Sequence, residues 1–461
     1  MRCAWRSRRG GPPTSRVACP GARSRCRPRR SKGCWIKDAT AARRAALRIL
    51  QSVRSGASFA AARDRHLSGL AERDRRLAYQ LAGGVLRSQA DLDRALALAT
   101  VDPRLDDILR LGAYQLRALA RVPAYAAVST SVELARDAAG EGGARFVNQA
   151  LRRLERTRSG ERGAVPSHPA WLLARWRKQF GADEAARLVA WNDARPPLTL
   201  QPVRWDPDTL RARLQEADFG VGDAPYGAGL RVSPPGTAPR SLLPARLPGF
   251  AEGAFIVQDP AQALVCRYAA FPAGGLAYDA CAAPGGKAVM LERLGARVVA
   301  GDARRDRMAH LVQTVRRAGV AIRPAVADLL AAPCAAGALA AVLVDAPCTA
   351  TGTMARHPDA RWRISARAID RAAARQRALL EAGGPLVQSG GTLVYATCSL
   401  EPEENSDVVN DFLERHPEFR RDAPPPGTVP AELLTEAGDF QSIPQRHGID
   451  GAYAARLVRV R

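Results

Sequence analysis

From Leu276 onward the chain alternates short apolar runs with helical stretches: LAYDA, ARVVAGD, IRPAVAD, ALAAVLVDAP and GTLVYATC. Apolar runs of this length, spaced by helices, predict a parallel sheet covered on both faces. Function in such sheets collects beyond the carboxyl ends of the strands. Asp279, Asp302, Asp328, Asp345 and Cys398 all fall there.

The first strand runs into DACAAPGGKA, Asp279 to Ala288. Its glycines let the backbone approach a ligand, and the helix that follows offers free N–H groups and a positive dipole end. Taken alone, the loop suits a nicotinamide cofactor, a nucleotide or S-adenosylmethionine. It is neither GxGxxG nor the GxxxxGK[ST] phosphate loop, because Lys287 follows a single glycine pair and Ala288 carries no hydroxyl. Asp302 lies sixteen residues past Gly286, close to the separation at which a carboxylate accepts hydrogen bonds from ribose hydroxyls. A lone strand-end aspartate is commonly a helix cap. With Asp328 ending the next unit, successive strands set a row of them on one rim.

The last two runs each end in a cysteine, Cys348 in LVDAPCTATGTMARHPDARW and Cys398 in LVYATCSLEPEEN. A free cysteine is ordinarily buried packing, but two at adjoining strand ends beside Asp345 suit a particular chemistry. Carbon 5 of a cytosine is a poor nucleophile while the ring is aromatic. A thiolate adding to carbon 6 makes carbon 5 enamine-like, able to attack an electrophilic methyl group. A carboxyl group at N3, as Asp345 offers, stabilises the charge on the ring. A second thiol assists release of the first.

The remainder points to nucleic acid. Formal net charge is +24, and the first 37 residues supply twelve of it, with twelve Lys and Arg and no acid. A surplus of this size is the electrostatic footprint of a protein that neutralises phosphates. The leader, 1–37, reads as a disordered extension, and its cysteines match no paired zinc spacing. From 38 to about 160 the apolar residues recur at helical spacing, as in Ala46, Ile49, Leu50 and Val53, so an all-α bundle is expected. Its Arg43, Arg44, Arg48, Arg73, Arg75, Arg76 and Arg87 form either a solvated face or one turned to RNA. Residues 161–250 read as linker helices and a small α+β subdomain, and 251–461 as the catalytic domain. No apolar run spans a membrane and no secretory signal is present, so a soluble, cytoplasmic, monomeric protein is expected.

The motifs DxCAAPGGK, DAPCxATGxxxxHPDxRW and LVYATCSxxPEEN occur in order. With YQLAGGVLR, LRLGAYQLRALARVPAYAAVSTSVELAR and FVNQALRRL in the helical region, the chain resembles the RsmB/Sun family of 16S ribosomal RNA cytosine-5 methyltransferases. That family belongs to the NOL1/NOP2/Sun group and has a NusB-like N-terminal domain. The resemblance covers about Asp38 to Arg461. It implies a Rossmann-like class I methyltransferase domain with S-adenosylmethionine as methyl donor, no metal, and 16S ribosomal RNA as partner. It places Cys281, Ala282, Ala283, Pro284, Gly285, Gly286 and Lys287 around the methionine part of the cofactor, Asp302 at its ribose and Asp328 beside its adenine. Asp345 would face both cofactor and base, Cys398 would attack, and Cys348 would release product. Spacing alone favours Cys348 as attacker, because it follows Pro347 as in DNA cytosine methyltransferases. Ala355 stands where the family often has arginine, a change expected to touch RNA contacts. The competing expectations are a non-catalytic NusB-like RNA-binding or antitermination protein, and the same reaction on transfer RNA or another RNA.

Overall fold

The computed structural model describes residues 32–97, 102–156, 167–236 and 242–460. Helix α1 (Lys32–Arg54) begins inside the stretch assigned from sequence to the leader, whose remainder lies outside the described residues. Helices α2 (Phe59–Leu67), α3 (Glu72–Leu96), α4 (Pro103–Ala118) and α5 (Ala124–Arg156) complete the expected bundle. Asp102 caps α4 by accepting from the Arg104 amide, with Pro103 in the first turn, where its missing N–H costs nothing. Helix α5 breaks its geometry at Ala139 and Gly140, where the chain runs Gly140-Glu141-Gly142-Gly143. Ile49, Leu81, Ile108, Leu109 and Val147 are buried in the bundle core.

Helices α6 (Ala170–Phe180) and α7 (Ala182–Asp193) lead into β1 (Leu198–Pro202), α8 (Pro207–Glu216), β2 (Gly220–Asp223), β3 (Leu230–Ser233) and β4 (Phe255–Val257). These strands form an antiparallel sheet in the order β2-β3-β1-β4. The sheet therefore takes a strand from beyond residue 250, where sequence placed the domain boundary. Three apolar residues, FIV, are too few to announce a strand by periodicity.

A larger α/β unit follows as α9 (Pro260–Ala269), β5 (Leu276–Asp279), α10 (Gly286–Arg293), β6 (Arg297–Asp302), α11 (Arg305–Ala318), β7 (Arg323–Val326) and β8 (Leu339–Asp345). Then come α12 (Ala360–Arg363), α13 (Ala366–Gly383), β9 (Val387–Thr397), α14 (Ser406–Arg415), β10 (Phe419–Arg421), β11 (Phe440–Ser442), α15 (Pro444–His447) and β12 (Ala452–Arg459). Strands run in the order β10-β12-β9-β8-β5-β6-β7, with β11 on β12. The members β9-β8-β5-β6-β7 are parallel, as expected, and β12 pairs antiparallel with β9. Alternate residues of β8 enter different cores: Ala341 and Leu343 pack with Leu264, Val289 and Leu311, while Val342 and Val344 pack with Leu379, Leu380 and Phe412. Burial on both faces explains the continuous apolar run. The chain passes from β5 outward to β7 and then returns to the other side of β5 with β8. The crevice at the carboxyl ends of β5 and β8 is thus a topological switch point.

Candidate active site

Three loops meet at that switch point. The loop after β5 is tied down by Ala280 N–H to Leu343 O at 2.9 Å and by Ala282 N–H to Gly301 O at 2.8 Å. Gly285 sits at φ +103°, a conformation that L side chains rarely adopt, just before α10. Arg307 donates to the Ala283 carbonyl and approaches Asp302 at 3.4 Å, so α11 braces the loop. Lys287 turns inward and its Nζ lies 2.8 Å from Asp345 Oδ2. Burial opposes the Lys287 charge, but Asp345 outweighs it and raises the ammonium pKa.

The second and third loops bring the cysteines together. Cys348 Sγ and Cys398 Sγ are 2.8 Å apart, and the Cys398 amide points at Cys348 Sγ from 3.3 Å. The hydrogen bond from Cys398 and then burial push the Cys348 thiol well above its ordinary value. Cys281 is pushed up to about 12 by burial and then by Asp345, so it remains an inert thiol at neutral pH.

Sequence gave no role to the group that holds these loops in register. Glu404 is fully buried and accepts from Thr349 N at 3.0 Å, from Ser399 Oγ at 2.7 Å and from Gln376 Nε2 at 2.8 Å, as well as from the Thr349 hydroxyl. It thereby joins the residue after Cys348 to the residue after Cys398. Asn405 accepts from Thr397 Oγ1 at 2.6 Å and donates to Ser399 O at 3.0 Å. Gly352 N–H reaches Cys398 O at 3.0 Å, and a Cβ on Gly352 would lie 2.7 Å from Gly451 O. The acidic run EPEE looks like a solvated helix start, and only long-range packing makes its last member a core residue.

Carboxylates stand at or just beyond the ends of β5, β6 and β7. Asp302 is buried; its Oδ1 accepts from Arg304 N–H at 2.9 Å, while Oδ2 accepts no hydrogen bond. Asp328 is exposed and caps a short turn through Leu330 N–H at 3.1 Å. Asp279 is wholly buried, and no side chain donates to either of its oxygens. Burial, and then Asp345, raise its pKa to about 8. Carboxylate oxygens so poorly supplied with donors beside a glycine loop fit a ligand rich in donors and positive charge.

The HPDARW segment after Cys348 faces the other domains. Arg361, fully buried, bonds Asp193 Oδ1 at 2.6 Å and Asn192 O at 2.9 Å. Trp362 Nε1 donates to Leu86 O at 2.8 Å, and Asp359 accepts from the Phe59 amide at 3.1 Å, both in the helical bundle. Arg356 lies between Asp259 and Asp450, each at 2.6 Å. Ala355 is buried, with its carbonyl accepting from Arg87 at 3.1 Å, so this position is packed between domains instead of being presented to a ligand.

A parallel sheet with a glycine loop and strand-end carboxylates at its switch point, joined to a helical bundle and an α+β sheet, is the build of an α/β enzyme of the nucleotide- or S-adenosylmethionine-binding kind with an appended N-terminal module. The family model for 16S rRNA methyltransferase RsmB/F matches residues 273–458, the NusB family model matches 40–156, and the ferredoxin-like domain of RsmF/B-like methyltransferases matches 168–237. The chain belongs to the RsmB family. It is 33% identical to a probable ribosomal RNA small subunit methyltransferase B of Synechocystis sp., across 91% of this chain and 99% of that protein. It is 34% identical to the ribosomal RNA small subunit methyltransferase B of Pseudomonas putida, across 91% and 98%. Among solved structures, PH0851 has the same fold with a TM-score of 0.75 at 23% identity, across 91% of this chain and 98% of that one. NSun6 from Pyrococcus horikoshii with SFG gives a TM-score of 0.55 at 19% identity, across 65% and 100%.

Proposed function

We propose that the protein methylates carbon 5 of a cytosine in 16S ribosomal RNA, through a covalent bond between Cys398 and carbon 6 of the base. The observation that carries this is the 2.8 Å approach of the Cys348 and Cys398 sulfurs beside the Lys287–Asp345 pair. The relatives named as ribosomal RNA small subunit methyltransferase B supply the substrate. S-adenosylmethionine, when bound, supplies an electrophilic methyl group. The Cys281–Lys287 loop would hold its methionine part, Asp302 its ribose hydroxyls and Asp328 its adenine side.

Cys398 as thiolate adds to carbon 6, and the ring electrons move toward N3, where the Asp345–Lys287 pair meets them with a proton. Carbon 5 takes the methyl group and then gives its own proton to solvent, while the N3 proton returns to the Asp345–Lys287 pair. The bond between Cys398 and carbon 6 breaks as the ring regains aromaticity. Cys348, held as a thiol at neutral pH, suits proton handling at this release better than attack. The base must be unstacked to reach the cysteines.

Mapping 5-methylcytosine in 16S ribosomal RNA from cells with and without the gene tests the assignment. One site should vanish and return when purified protein, the cofactor and the unmethylated RNA are mixed. An unchanged map would rule out 16S ribosomal RNA as the substrate.

A further inference from the structure

A cavity of about 1140 Å³ opens where the helical bundle, the α+β sheet and the segment after Cys348 meet. Arg63, Arg75, Arg87, Arg195, Arg231 and Arg356 line it, against Asp64 as the only lining carboxylate among the described residues. Arg63 pairs with Asp64, and Arg356 pairs with Asp259 and Asp450. Arg75, Arg87, Arg195 and Arg231 form no ion pair among the described residues. Two of these four are built in. Arg87 is fixed by the carbonyls of Gly83 at 3.3 Å and Ala355 at 3.1 Å, and Arg231 by Gly448 O at 2.6 Å. The Nε of each is buried with no acceptor. Backbone carbonyls fix the geometry of a guanidinium without cancelling its charge.

Arg87 and Arg231 are half-buried while Arg75 and Arg195 are exposed at the same cavity, and like charges drawn together and partly out of water are unfavourable unless an anion completes them. Burial lowers the Arg87 pKa, and the Arg361 and Arg195 charges work in the same direction. The walls between the arginines are ring-bearing and apolar: Tyr79, Tyr114, Leu198 and Val257 line the same space. Guanidinium groups and aromatic rings on one surface are what a single strand uses to lay its phosphates and stack its bases. Arg356 and His357 at the edge of the cavity follow directly from the turn whose Gly352 amide bonds Cys398 O.

We propose that this cavity is an RNA site distinct from the catalytic pocket, holding an unpaired stretch of the substrate strand with its phosphates on Arg75, Arg87, Arg195 and Arg231. The site rests on the RNA-methyltransferase function proposed above and adds the place where the strand outside the target base is held. It assigns a role to Arg75 and Arg87 within the Arg-rich face. By contrast, Arg43 is buried on Gln115 at 2.7 Å, and Arg44 and Arg76 are paired with Asp137 and Glu72.

The test uses the full-length protein and compares Arg195→Glu with Arg420→Glu, an equal charge change at an exposed position on β10. Affinity for transcribed 16S ribosomal RNA is read by fluorescence anisotropy over a range of salt, with melting temperature as the check on folding. Arg195→Glu should weaken RNA binding about tenfold and flatten the slope of log Kd against log salt by about one counterion. Arg420→Glu should change it less than twofold, and cofactor affinity should be unchanged in both. Arg87→Lys, which keeps the charge but loses the fork, should weaken binding in the same direction. Equal losses in the two glutamate variants, or wild-type affinity in Arg195→Glu, would overturn the site. Competition by inorganic phosphate or AMP as strong as by a single-stranded 12-mer would also overturn it, in favour of a small-anion pocket. If the protein methylates no cytosine yet binds RNA through Arg195, the cavity stands and the proposed reaction falls.

Discussion

At the scale of single residues, Asp279 carries the sharpest pH dependence. Its carboxyl is raised to about 8 by burial and then by Asp345, far above the ordinary value near 4. A group raised in the folded state favours folding below its unfolded pKa, and that contribution is lost as pH rises through the folded pKa. The ligand-free protein should therefore lose stability between about pH 4 and pH 8 on account of this residue. Asp279→Asn should melt several degrees higher than wild type at pH 8.5, taking about 2–4 °C per kcal/mol for a domain of this size, and the same at pH 4; calorimetry at both values checks this. If the loop after β5 holds S-adenosylmethionine as proposed, the sulfonium and ammonium charges would lower the same pKa, and wild-type cofactor affinity should rise with pH toward 8. In Asp279→Asn the profile should be flat over that range. Glu404 makes a separate prediction. Its carboxylate accepts donors from both cysteine loops, and Glu404→Gln puts an amide N–H against one of them at a cost of about 1–3 kcal/mol. Steady-state kinetics should show kcat falling with little change in KM for the cofactor.

At the scale of elements, the segment from Ala355 to Arg363 joins the domains. Arg361 is buried and bonds Asp193 and the carbonyl of Asn192 through its two terminal nitrogens. Arg361→Ala leaves a cavity and unpaired acceptors, and should cost about 3–5 kcal/mol, seen as a lowered denaturation midpoint and faster proteolysis around α7. Gly352→Ala drives a methyl group onto Gly451 O and Cys398 O. About 1–3 kcal/mol of overpacking is expected, with turnover falling further than stability because the displaced backbone carries Cys398. Much of the catalytic sheet was legible in the sequence, because a strand buried on both faces writes itself as a continuous apolar run, as Leu339–Asp345 does. The antiparallel edge was not. AYAARLVRV, the source of β12, mixes small and charged residues, and its strand identity comes from pairing with β9. Cys348, Cys398 and Asp345 stood at strand ends in the sequence, and the fold brings them to one crevice. Glu404, Arg356 and Arg361 were hidden, since nothing local distinguishes a buried charged side chain from a solvated one.

At the scale of the whole molecule, the bundle, the α+β sheet and the catalytic domain share contacts through one segment, eight residues after Cys348 at Arg356. RNA held between the domains would thus act on the same stretch of chain that shapes the cysteine loops. No helix among the described residues is long and apolar enough to cross a membrane. The central claim is that the two cysteines have unequal roles, Cys398 attacking and Cys348 releasing. The most direct measurement incubates each alanine variant with cofactor and 16S ribosomal RNA and resolves denaturant-resistant protein–RNA complexes on a gel. Cys348→Ala should accumulate the covalent complex and Cys398→Ala should form none. A complex that accumulates in Cys398→Ala and is absent from Cys348→Ala would contradict the account.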